Sequence, residues 1–152
     1  MKVRSVLPPV DHVRAHPDLY LFAAPGLLLP ERLAFGLMSD AMHLGATDVY
    51  WCRDGNRYFV GSSMNWLTSA TGQSDPTLFE KVVALKGAEP NSIRHEICVM
   101  ALTDHVALLT PTLQVLKGAS DAFHASWIAR IQAQPAAHFG IAFVLTDSTN
   151  GS

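Results

Sequence analysis

Asp40 and His43 stand about one helical turn apart in the stretch SDAMHLGATDV, residues 39–49. A carboxylate beside an imidazole makes an acid–base pair, the carboxylate raising the affinity of the ring for a proton. Such a pair serves proton transfer on a small organic substrate. The spacing also suits a structural Asp–His contact. On a helical wheel of about 100° per residue, Gly36, Asp40 and His43 form one stripe. Leu33, Leu37, Ala41 and Leu44 make an apolar face beside it. A carboxylate and an imidazole beside a core are costly to bury unless paired or wetted. The stripe therefore lines a polar pocket or forms a structural pair, and the residues leave both open.

The elements that must position these residues follow from local signals. Residues 9–16 read as a short helix stopped by Pro17. Pro30 and Glu31 suit the first turn of a helix over 31–44, and Gly45 suits its end. DVYWCR and RYFVGS flank DGN, a hairpin signal. Residues 62–75 read as a Ser/Thr/Gly loop, and Asp75 as the cap of a helix over 76–85. KGAEPN reads as a loop, with Asn91 capping a helix to Leu102. HVALLT and TLQVL read as strands, residues 120–134 as a helix, and HFGIAFVLT as a closing strand. The expected fold is α/β (α+β): a two-layer sandwich with a mixed β-sheet covered on one face by helices. A single domain over 1–152 is expected.

Composition narrows the function classes. The 152 residues are 49% hydrophobic and 16% charged, with a net charge of -2. That balance speaks against a sequence-independent hold on nucleic acid, which needs a basic face. No apolar run approaches a membrane span, and MKVRSVLPPVDHVR lacks a signal-peptide stretch. Cys52 and Cys98 have no ligand spacing and read as reduced thiols of a cytoplasmic protein. His12 and His16, at i and i+4, lack a third ligand, so no metal and no cofactor are expected. Phe123, Trp127, Ile128 and Ile131 recur at helical spacing and read as a core or interface face. Phe35, Met38 and Met42 form a second apolar face on helix 31–44. Either helix 120–134 covers them, or a homodimer does.

Several short stretches resemble the ATPase domain shared by DNA gyrase B, MutL, Hsp90 and histidine kinases, the GHKL or Bergerat fold. HVRAHPDLYL resembles a gyrase-type segment through Val13, Arg14, Pro17 and Tyr20. LMSDAMHLGATDVYW resembles the MutL-type helix and strand, best at Gly45, Ala46 and Thr47. MALTDHVALLT and HFGIAFVLTD resemble the later helix–strand and the closing strand. Carried over residue by residue, the resemblance puts the water-activating glutamate at Gly36 and the magnesium-holding asparagine at Asp40. The adenine-binding aspartate falls on Ser62, and flexible glycines on Met64 and Trp66. The glycine-rich lid becomes PNSIRHEI, and the threonine of the last strand becomes Phe139.

The resemblance thus implies a Bergerat-type fold without ATP hydrolysis. Its former nucleotide pocket would be lined by Gly36, Asp40, His43, Ser62, Asn65, Trp66, Arg94, His95 and Phe139. Three functions fit: a module binding a small molecule or a protein partner, an enzyme using Asp40 and His43, or ATP binding without turnover.

Overall fold

A computed structural model of the chain describes residues 9–20, 26, 28–68, 75–80, 83, 85, 93–110 and 112–146. The KGAEPN loop, the Asn91 cap and residues 69–74 of the 62–75 loop lie outside the described residues.

The chain runs α1 (Pro9–Ala15), α2 (Leu29–His43), β1 (Val49–Asp54), β2 (Arg57–Ser62), α3 (Glu96–Leu102), β3 (His105–Leu109), β4 (Leu113–Lys117), α4 (Ala125–Gln132) and β5 (Phe139–Val144). Helix α2 begins where the Glu31 carboxylate accepts the Leu28 backbone N–H at 3.1 Å. It ends at Gly45, whose φ of 108° a side chain would oppose. The hairpin β1–β2 turns through Gly55 and Asn56, with Gly55 at φ 64°.

The α+β sandwich expected from the element pattern is what the structure has: helices packed on an open five-stranded sheet in the order β1-β2-β5-β3-β4. Every pairing is antiparallel, so the sheet is not mixed in strand direction. The closing strand β5 lies in the centre, between β2 and β3. Strand alternation sends Tyr58, Val60, Val106, Leu108, Ile141 and Phe143 to one face, where they pack with Leu33, Leu37 and Ile97. Phe59, Ala107, Leu109, Ala142 and Val144 point the other way, against Phe123, Trp127 and Ile131.

The expected helix over 120–134 is divided. A 3-10 turn, Ser120–Phe123, precedes α4, and His124 at φ 53° separates them. Phe123, Trp127, Ile128 and Ile131 are nevertheless all buried, as their spacing implies. Because α4 packs on the face opposite α2, it does not cover Phe35, Met38 and Met42. The helix expected over 76–85 is observed as a 3-10 turn, Pro76–Glu80. Asp75 still accepts the Thr77 N–H, at 3.1 Å. Among the described residues, no helix is long and apolar enough to cross a membrane.

Candidate functional site

The polar stripe of α2 meets the segment that leads into α3. Asp40 is fully buried in the helical layer. Its carboxylate accepts the His95 backbone N–H at 2.5 Å and faces the His95 ring Nδ1 at 3.0 and 3.1 Å. An ionised carboxylate only accepts, so these contacts assign the proton to Nδ1. One turn earlier, Gly36 gives the ring its space: a Cβ there would lie 2.6 Å from His95 Cδ2. Glycine at 36 and aspartate at 40 thus form a seat for one imidazole, the first by steric absence and the second by hydrogen bonding.

That imidazole belongs to His95 and not to His43. The Asp40–His43 pair suggested by their spacing is not formed. His43 is the last residue of α2 and is exposed, because the stripe leaves the core where the helix ends.

Beside this seat lies a second buried pair. Arg94 donates from Nε to Glu96 Oε1 at 3.1 Å and from Nη2 to Oε2 at 3.0 Å. The same Nη2 also reaches the Trp66 carbonyl at 3.0 Å. Burial pushes the Glu96 carboxyl up, and the adjacent guanidinium opposes that shift. The two-pronged geometry favours the ionised pair. Cys98 lies one turn further on, and burial pushes its thiol up to about 12. A thiol so placed stays protonated and unreactive. Trp66 is buried with its indole N–H unpartnered among the described residues.

The remaining sequence-derived site residues divide between local roles. Ser62 and Phe139 are opposite each other in the β2–β5 register. The Ser62 hydroxyl donates to Asp48 at 2.8 Å and accepts the Met64 N–H at 3.0 Å. Together with the Ser63 hydrogen bonds, this holds the Asp48 carboxyl below its ordinary value. Asn65 accepts the Leu67 N–H at 3.1 Å, closing the next turn. The structure therefore brings Gly36, Asp40, Arg94, His95 and Trp66 into one cluster, with Ser62 and Phe139 adjacent across two strands. Glu96 belongs to the cluster and was missed. The triplet Arg94-His95-Glu96 at the head of an apolar helix is the signal that marks it.

Among the described residues, no three His, Cys, Asp or Glu side chains come together to hold a metal ion. His12 and His16 have ring centroids 4.8 Å apart, and His12 meets the Tyr20 hydroxyl. No family model, curated protein or solved structure matches this chain.

Proposed function

We propose that the chain is a non-hydrolytic domain of the gyrase B-like, GHKL type, acting by binding and not by turnover of ATP. The reading rests on the sequence resemblance and on one observation in particular. The His95 ring occupies the space a side chain at position 36 would need. Position 36 is where the resemblance calls for a general base, and glycine cannot take a proton. Asp40, at the metal-holding position, has its carboxylate engaged by His95. The compartment this reading assigns is the cytoplasm, where Cys52 and Cys98 stay free thiols.

Calorimetric titration with ATP and magnesium, together with a phosphate-release assay, tests the reading. No heat, no thermal shift and no phosphate are expected. Turnover of ATP would overturn it.

A protein partner is favoured over a small molecule by the outer side of α2. Met42 is 56% exposed, and Phe35 meets the half-exposed Trp51 edge-on at 5.4 Å. With α4 across the sheet, a second copy of the chain meeting this side through Phe35, Met38 and Met42 completes its burial. Light scattering should give a dimer mass that Met42→Lys reduces to a monomer. A monomer in the unaltered chain removes the homodimer.

A further inference from the structure

We infer that the outer edge of β1 pairs with the same edge of a second copy of this chain, antiparallel and centred on Cys52, so that two five-stranded sheets join into one. The pairing rests on the homodimer proposed above and gives it a register.

The sheet has two edges, and they are built differently. Among the described residues, β1 and β4 each pair with one neighbouring strand only. Strand β4 is a poor template. Its register with β3 jumps from Lys117 opposite Val106 to Val115 opposite Ala107, leaving Leu116 without a counterpart. Lys117 reaches into the helical layer, where its Nζ donates to the Met100 and Thr103 carbonyls at 2.8 and 2.5 Å. A bulge and an edge lysine both discourage pairing. Strand β1 has neither. Its register with β2 is unbroken from Val49 to Asp54, and the half-exposed Trp51 stands in its middle.

The side chains of β1 complement a second β1. Val49, Trp51 and Arg53 lie on the α2 side, against the main core, Phe35 and the Tyr58 ring respectively. Tyr50, Cys52 and Asp54 lie on the α4 side. The two-residue turn at Gly55 and Asn56 makes Asp54 and Arg57 the closing hydrogen-bonded pair. The backbone N–H and C=O groups of Val49, Trp51 and Arg53 therefore point outward. A two-fold axis normal to the sheet keeps both α2 helices on one side, and two registers then pair most of the strand. Centring on Trp51 sets Asp48 opposite Asp54 of the second copy, two carboxylates face to face. Centring on Cys52 sets Trp51 opposite Arg53 and Tyr50 opposite Asp54, a cation–π contact and a hydroxyl–carboxylate contact, each made twice. Charge selects the second register. Because Phe35 already meets Trp51 at this edge, the pairing draws the outer sides of the two α2 helices together.

In that register the two Cys52 residues form the central non-hydrogen-bonded pair, with Cα atoms about 4.5 Å apart, within reach of a disulfide. In the register centred on Trp51 they are offset along the strands and out of reach. The test combines light scattering with oxidation of the native chain by diamide, which is reduced as two thiols join. A dimer mass and a disulfide-linked dimer on a non-reducing gel are expected. The link should vanish in Cys52→Ser, because Cys98 is fully buried. Trp51→Lys, which faces Arg53 with a like charge, should slow the linking about tenfold or more. A dimer that oxidation does not link through Cys52 overturns the β1 pairing and leaves the homodimer standing. Linking at an equal rate in Trp51→Lys marks random collision and also overturns the pairing. A monomer removes both.

Discussion

On the α2 face, Asp40 and Glu96 are fully buried and Arg94 is 8% exposed, and each has a designated partner. On the α4 face, Asp54 serves two guanidiniums, and the Arg130 side chain is 70% exposed. The same residue types are used to opposite ends. A dry carboxylate with one seat fixes geometry, because any other arrangement strands a charge or a donor. A wet carboxylate shared between two arginines fixes little and can exchange its partners. The first arrangement commits the chain to a shape, and the second leaves its partners free to rearrange.

The sharpest way to break this contrast is Asp40→Ala. It removes the carboxylate that accepts the His95 backbone N–H and faces its ring and should cost about 3–5 kcal/mol, read as a lowered urea midpoint. A loss under about 1 kcal/mol would place the pair among ordinary surface contacts. Next is Gly36→Ala, whose new methyl collides with the His95 ring. A loss of about 1–3 kcal/mol is expected, and His95→Ala in the same chain should recover part of it in a double-mutant cycle. On the other face, Arg130→Ala should stay within about 0.5 kcal/mol, since the pair it breaks is solvated.

The smallest effect concerns Asp104, outside both clusters. Its carboxylate accepts the Thr146 N–H at 2.7 Å and the Thr146 hydroxyl at 2.6 Å, which hold its pKa low. A depressed carboxyl contributes stability above its unfolded pKa and loses it as pH falls through the folded one. Asp104→Asn should therefore lower the neutral plateau slightly and flatten the acid limb, leaving stability at the acid end nearly unchanged. An unchanged acid limb would remove this role.

The local grammar of the sequence was informative where the signal is short-ranged. DGN gave the hairpin, Gly45 the end of α2, and the spacing of Phe123, Trp127, Ile128 and Ile131 their common burial. The stripe of Gly36 and Asp40 was visible as a place that needs a polar partner. Its partner was not visible, because His95 lies 55 residues away and His43 offered a nearer imidazole. Spacing along a helix shows which residues share a side, but not where the helix leaves the core. The break at His124 was hidden for a similar reason. Neither glycine nor proline marks it, and only Phe123 beside it is buried.

Strand β5 is the last of the five described strands in chain order and sits third in the sheet, hydrogen-bonded to β2 on one side and β3 on the other. During synthesis the two hairpins emerge with facing edges and nothing to join them. Until residues 139–144 have left the ribosome, the nascent chain carries two open β-edges and an uncovered apolar seam. A chain cut before residue 139 would leave β2 and β3 each with an unpaired edge and an uncovered apolar seam between them, a larger loss than that position's distance from Asp40 suggests.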